Sequence, residues 1–170
     1  KQKTAYEILT CDWSSDVCSS DLSAFGVPFS VGTMTRMAGG TSHQIAFELL
    51  LPGTVAAPVN VLFALMDEAG RVIASGQKTL AAPTMNEYRL SSGFTTAAGE
   101  FQLRVSVADG SGNIGASASR VVAKTIASGS VSTSGLFTTW QDRDGARHLM
   151  ATGHLPAAAE AVEPTVEFYV

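Results

Sequence analysis

A tryptophan followed by two alternate aspartates gives the chain its first candidate binding loop. Trp140 precedes Asp142 and Asp144, and Gly145 supplies a residue type that is common in turns. An exposed tryptophan can stack on a sugar or anchor a protein partner, and alternate carboxylates open many calcium loops. We therefore expect Trp140, Asp142 and Asp144 to form a ligand-binding loop. The alternatives are a place in the hydrophobic core for Trp140 and an ordinary polar turn for the aspartates.

A second set of alternating oxygen ligands lies in the loop that runs from Asp109 through Ser111 to Asn113. A complete calcium site takes roughly six to eight oxygens, including a bidentate glutamate further along the chain. Both loops lack that glutamate, because the next acidic residue after Asp109 is Asp142 and the next after Asp144 is Glu160. We therefore expect polar turns and no cofactor, with calcium binding as the alternative and a calcium-stabilised adhesion repeat as the corresponding alternative function. The candidate calcium ligands are Asp109, Asn113, Asp142 and Asp144.

The stretch from Gly110 to Gly115 satisfies the pattern G-x-G-x-x-G of dinucleotide-binding folds. Such a site needs a helix after the glycines and a carboxylate about 20 residues further on, to bind the ribose. Between Asp109 and Asp142 the sequence contains no Asp or Glu. The run before the glycines also alternates with polar residues, whereas a central parallel strand is buried on both faces. The pattern therefore favours a hairpin turn, and a fragment of a dinucleotide-binding enzyme stays as an alternative.

Residue types that serve as catalytic groups do not cluster along the sequence. His148 and His154 are spaced neither as a helical i, i+4 pair nor as usual zinc ligands. Residues 23–170 contain no G-x-S-x-G motif. Four glutamates lie on four separate predicted strands and offer no catalytic carboxylate pair: Glu48, Glu87, Glu100 and Glu167. We therefore predict that the protein is not an enzyme.

Residues 1–22 differ in character from the rest and resemble the translation of a sequencing-library adapter. Two blocks, 1–7 and 12–21, match constant adapter regions in one reading frame, and the gap between them fits a short index. The alternative is a natural N-terminal arm closed by a disulfide between Cys11 and Cys18. We expect the fold to be independent of residues 1–22. We also expect residues 23–170 to be one β-sandwich module, truncated at both ends.

The composition of residues 23–170 excludes several classes of protein. Residues 1–22 contain two of the 11 Lys+Arg and four of the 15 Asp+Glu, which leaves nine basic and eleven acidic residues. A near-neutral balance of this kind does not favour nucleic-acid binding. No apolar run reaches the length of about 18 residues that a membrane-spanning helix needs. Both cysteines lie in residues 1–22, so the remainder can form neither disulfides nor cysteine zinc sites.

Period-two alternation of apolar residues predicts an all-β fold. Residues 101–107 alternate Phe, Leu and Val with polar side chains, which we expect to face water. Turns rich in Asp and Gly separate the runs, and a strand about every 8–14 residues is typical of an antiparallel β-sandwich of the immunoglobulin/fibronectin III-like kind. The predicted strands are 27–37, 43–51, 59–67, 71–80, 86–90, 100–109, 114–123, 131–137, 147–152 and 165–170.

Three of these segments together resemble a known family. Residues 62–73 (LFALMDEAGRVI), 100–115 (EFQLRVSVADGSGNIG) and 131–136 (VSTSGL) resemble the C-terminal β-sandwich region of bacterial secreted VWFA-related proteins, which contain a von Willebrand A domain. The family's "G-S-V" continuation is replaced here by Gly-Ala-Ser at 115–117. Residues 23–170 also lack the D-x-S-x-S metal-ion-dependent adhesion motif of the A domain, so no adhesion metal ligand carries over.

The resemblance implies an extracytoplasmic (periplasmic or secreted) accessory module without a catalytic role. We therefore expect a non-catalytic unit of a larger exported bacterial protein, which serves as a spacer or binds a protein or a glycan. Presentation of loop residues by a rigid scaffold would be its mechanism. Neither the ligand nor the oligomeric state follows from the sequence.

Overall fold

The computed structural model describes residues 26–84, 86–124, 126–128, 131–133, 137–141, 145, 147–149 and 165–167. The predictions for residues 1–22 lie outside these ranges and stay predictions, as does the assignment of residues 23–170 to one module. All regular structure in the described ranges is β-strand. The strands are β1 (Ser30–Gly39), β2 (Ser42–Pro52), β3 (Val59–Asp67), β4 (Val72–Leu80), β5 (Glu87–Ala97), β6 (Gly99–Ala108), β7 (Ile114–Ala123), β8 (Ile126–Ser128), β9 (Val131–Thr133), β10 (Phe137–Gln141), β11 (Arg147–Leu149) and β12 (Thr165–Glu167).

The strands assemble into antiparallel sheets, which confirms the all-β sandwich class expected from the sequence. A three-stranded sheet has the order β1-β2-β5, and a four-stranded sheet has the order β4-β3-β6-β7. Two smaller sheets have the orders β11-β10-β12 and β8-β9. These orders are compatible with the immunoglobulin/fibronectin III-like kind, which stays a prediction. The described residues include no helix of the length and apolarity that crossing a membrane requires.

The described chain divides into two compact units, and the first contains most of the four-stranded sheet. This unit comprises residues up to 29, together with 51–89 and 102–120. One face of β3 buries Val59, Val61, Phe63 and Leu65, and the same alternation on β6 buries Leu103, Val105 and Val107. Removal of this apolar area from water stabilises the unit by about 25 cal/mol per Å². The strands form because their apolar residues recur with the period of the pleat.

The second unit comprises residues 30–50, 90–101 and those from 121 onward. Within it β1 pairs with β2 from Ser30 opposite Leu50 to Met37 opposite His43, and the register shifts by one residue before Gly39. Its core includes Ile45, Phe47 and Leu49 on one face of β2. The ring of Phe94 on β5 stacks on Phe47 with centroids 6.2 Å apart, the offset geometry that aromatic pairs prefer.

Two side chains of β6 correct the expectation that the polar face of this strand meets water. Arg104 is only 6% exposed, and Ser106 is fully buried. The Arg104 guanidinium donates from Nε to Oε1 of Gln102 at 2.7 Å. The Ser106 hydroxyl has no hydrogen-bond partner among the described residues. The alternation located the strand correctly but could not show that this face of β6 is covered.

The buried Ser106 hydroxyl yields a stability prediction. A buried polar group without a partner costs roughly 1–3 kcal/mol, so Ser106→Ala should raise the free energy of unfolding by about 1 kcal/mol. Urea denaturation of both proteins measures the difference. The matched control is Ser75→Ala on the exposed face of β4, which should change stability by less than about 0.5 kcal/mol. A loss of stability in Ser106→Ala would show that the hydroxyl is satisfied in solution.

Candidate functional site

Trp140 lies in a β-hairpin formed by β10 and β11. In the antiparallel register of these strands Trp140 is opposite His148, and Gln141 is opposite Arg147. The connecting loop includes Gly145, whose carbonyl accepts a hydrogen bond from Nε2 of Gln141 at 2.8 Å. Asp142 and Asp144 fall between these residues in sequence but lie outside the described residues. The structure therefore places Trp140 on the strand that leads into a hairpin loop, and it does not describe the two aspartates, so the binding loop stays a prediction.

The hairpin belongs to a three-stranded sheet with β10 in the middle. Thr139 of β10 is opposite Leu149 of β11 on one side and Thr165 of β12 on the other. The Thr139 side chain is buried. In the sequence His148 was considered as a metal ligand together with His154, which lies outside the described residues. The register partner of His148 is Trp140, which sequence spacing alone did not suggest.

A buried glutamate on β2 holds the end of this hairpin. The backbone N–H of Leu149 donates to Oε2 of Glu48 at 2.8 Å. Glu48 is only 6% exposed. Hydrogen bonds to a carboxylate are shorter and stronger than bonds between neutral groups. This bond joins residues 101 positions apart in sequence and ties β11 to β2.

Close packing of β11 on β1 occurs beside the same carboxylate. Gly32 on β1 is the register partner of Glu48. A β-carbon at Gly32 would come within 2.9 Å of the backbone carbonyl carbon of Leu149, a distance that real side chains essentially never show. The absence of a side chain at Gly32 thus makes room for Leu149, and Glu48 binds it there.

Sequence reasoning missed the role of Glu48, although it carries a recognisable signal. It interrupts the apolar run from Ile45 to Leu51, and glutamate is rarely buried unless it has a partner. That signal predicts a partner without naming it, since the partner is a backbone amide far along the chain.

The second candidate loop joins β6 to β7 and uses Asp109 to organise its own backbone. Oδ1 of Asp109 accepts hydrogen bonds from the backbone N–H groups of Ser111 at 2.9 Å and Asn113 at 2.8 Å. Oδ2 accepts a bond from Nδ2 of Asn113 at 2.9 Å. Both carboxylate oxygens are therefore engaged by N–H donors. A calcium ion at Asp109 and Asn113 would have to compete with these bonds, and calcium there stays a prediction.

The hairpin between β3 and β4 repeats this loop geometry. Oδ1 of Asp67 accepts a bond from the backbone N–H of Arg71 at 2.9 Å, and Oδ2 accepts one from Nε of Arg71 at 2.7 Å. In both loops the residue at the fourth position is a glycine with positive φ, 77° at Gly70 and 85° at Gly112. L-residues with side chains avoid this conformation, so glycine is favoured at both positions. The two hairpins therefore share one turn design.

The residues that satisfy G-x-G-x-x-G form this hairpin loop and the start of a strand. Residues 114–123 are β7, where a dinucleotide site would need a helix whose N-terminus faces the phosphates. The neighbouring loop at 53–58 is attached to it, because the N–H of Gly110 donates to the carbonyl of Ala56 at 2.8 Å. The hydroxyl of Tyr88 also donates to the carbonyl of Val55 at 3.3 Å. These contacts give two adjacent loops a defined position within the first unit.

Hydrogen bonding lowers the pKa of both loop carboxyl groups below their ordinary value of 3.8. The pKa of Asp67 is lowered first by the backbone N–H of Arg71 and then by the side chain of that arginine. Burial would raise the pKa of Asp109 and is the largest single contribution. The combined bonds from Asn113, Ser111 and Gly112 outweigh it and lower the pKa. Over the described ranges no group of three or more His, Cys, Asp or Glu could hold a metal ion.

Comparisons with known proteins add little to this geometry. No family model and no curated protein matches the chain. A Northeast Structural Genomics Consortium target solved by X-ray crystallography is 12% identical with a TM-score of 0.40, over 56% of this chain and 85% of its own. A Bordetella pertussis protein described as an ApaA protein is 14% identical with a TM-score of 0.39, over 56% of this chain and 91% of its own. With identities and TM-scores this low, neither structure indicates a function for this chain.

Removal of the Glu48 carboxylate should destabilise the protein. Glu48→Ala leaves the Leu149 amide without its acceptor, and hydrogen bonds to charged groups contribute roughly 1.5–3 kcal/mol. Glu48→Gln keeps an oxygen acceptor of the same length and should lose less. Urea unfolding of the three proteins measures the order of stability. Equal stability of wild type and Glu48→Ala would contradict the structural role of this bond.

The lowered pKa values of Asp67 and Asp109 predict a pH dependence of stability. In the unfolded chain both groups protonate near their ordinary pKa, whereas in the folded protein they stay charged to lower pH. The stabilisation is therefore fully present above about pH 5 and is lost as the pH falls through 4 and below. Asp67→Asn and Asp109→Asn should each flatten the acid limb of a plot of unfolding free energy against pH. An unchanged limb in both variants would contradict the turn hydrogen bonds.

Proposed function

We propose that the protein is a non-catalytic β-sandwich accessory module of a larger exported bacterial protein. In this proposal it is a spacer that also binds a protein or a glycan through its β10–β11 hairpin. The resemblance of residues 62–73 and 100–115 to VWFA-related proteins supports the extracytoplasmic location and the accessory role. Binding requires a loop that keeps its conformation before the ligand arrives, because ordering a loop on binding costs free energy.

The observation that carries the proposal is the attachment of the hairpin to β1 and β2 within the second unit. The Glu48 carboxylate binds the Leu149 amide, and Gly32 admits Leu149 against β1. Trp140 is one register pair from Leu149, so its backbone is held by the same contacts. A tryptophan on a fixed strand contributes a large contact area at a low cost in conformational entropy. Recognition loops on rigid scaffolds follow this arrangement.

Replacement of Trp140 tests the binding role directly. The probes are a glycan microarray and insoluble bacterial peptidoglycan, each incubated with the purified chain. Trp140→Ala should reduce binding at least tenfold, the effect expected when an aromatic anchor worth about 1.4 kcal/mol or more is truncated. Trp13→Ala is the matched control, because it removes the same side chain from residues 1–22 and should leave binding unchanged.

Thermal melts separate loss of a ligand contact from loss of the fold. Trp140→Ala should retain a cooperative melt close to that of the wild type. A variant that no longer melts cooperatively would show that Trp140 belongs to the core and would contradict the binding role. A wild-type chain that binds none of the glycans and no peptidoglycan would contradict glycan binding.

A further inference from the structure

Among the described residues, β4 is an edge strand of the four-stranded sheet. In the order β4-β3-β6-β7 the strand β4 has one neighbour, β3, with which it pairs from Val59 opposite Leu80 to Met66 opposite Val72. Every second backbone N–H and carbonyl of an edge strand points away from its neighbour. These groups are a template for an additional strand.

The side chains of β4 are unusually exposed for a strand of this protein. None of its nine residues is buried, and six are exposed. Val72 is 54% exposed and Ile73 is 49% exposed, which makes them two of the three large exposed hydrophobic residues in the described ranges. Native edge strands usually carry charges, proline or bulges that prevent pairing. In β4 the features that oppose pairing with another strand are Lys78 and a register shift beside Val72.

We propose that β4 pairs with β4 of a second copy of this chain, antiparallel and centred on Gly76. The charge pattern of the strand favours this occupant. A two-fold axis at Gly76 places Lys78 of each copy opposite Ala74 of the other, so the two ammonium groups are kept apart. In a parallel pairing in register the lysines would be neighbours, and like charges on adjacent strands are destabilising. Self-complementarity of this kind is what a two-fold contact requires.

The regular register covers residues 74–78, because the bulge at Ile73 interrupts pairing before Val72. Ser75 of one copy lies opposite Gln77 of the other, the pair occurs twice because of the symmetry, and both residues are exposed in the single chain. The contact therefore adds backbone hydrogen bonds and covers exposed uncharged side chains near the axis. It is independent of the β10–β11 hairpin, so it does not rest on the proposed binding function.

Charge substitutions at the Ser75–Gln77 pair test both the contact and its register. The variant S75K/Q77K places lysines opposite each other at two symmetric positions, whereas S75K/Q77E places a lysine opposite a glutamate. Sedimentation equilibrium of the full chain between about 10 and 500 µM measures the dimer Kd. Wild type should show a monomer–dimer equilibrium. S75K/Q77K should raise the Kd at least tenfold relative to S75K/Q77E, since cross-strand charge pairs add or remove a few tenths to about 1 kcal/mol each.

Both variants change exposed residues of the single chain, and equal thermal melts at low concentration verify that each one folds. A wild-type chain that remains monomeric up to about 500 µM would overturn the proposal. Equal Kd values for the two variants would overturn it as well, because β4 would then not pair in this register.

Discussion

A hydrogen bond between the amide of Leu149 and the buried carboxylate of Glu48 ties the β10–β11 hairpin to β2. A carboxylate is expensive to remove from water unless donors compensate it. Burial of the Glu48 carboxylate is therefore tolerated only while its hydrogen-bond donors stay in place. Gly32 is the second part of the same constraint, since any side chain there would occupy the space of Leu149. Together Glu48 and Gly32 fix the position of β11, the hairpin strand that follows Trp140.

A different constraint organises the first unit, in which two hairpins use one turn design. Asp67 and Asp109 each bind the backbone and the side chain of the residue four positions later, and Gly70 and Gly112 adopt positive φ. This design explains why the sequence contains motifs that imitate ligand sites. Glycines and oxygen-bearing side chains are needed in a tight turn for the same geometric reasons that they are needed around a phosphate or a metal ion.

Alternation and turn chemistry were sufficient to predict most of the strands. The limits of β3 and β7 agree with the sequence prediction, because apolar alternation marks both strands and an Asp-Gly turn marks the end of β3 and the start of β7. Strand β5 extends to Ala97, seven residues beyond its predicted end, since residues 91–97 carry few apolar side chains and pair through tertiary context. Contacts between residues that lie far apart in the sequence could not be predicted. Burial of Arg104 and Ser106 and the tie at Glu48 depend on residues distant in the chain.

Hydrogen exchange of the Leu149 amide, measured by NMR on the wild-type chain, tests most directly whether the hairpin is held on β1 and β2. Protection depends on the free energy of the opening that exposes the amide to water. Our account predicts that Leu149 exchanges within about tenfold of the Phe47 amide in the core strand β2, because both should open only with the unit as a whole. Exchange about a thousandfold faster at Leu149 than at Phe47 would show that the hairpin opens by itself. That result would contradict the Glu48 tie and, with it, the scaffold on which the binding proposal rests.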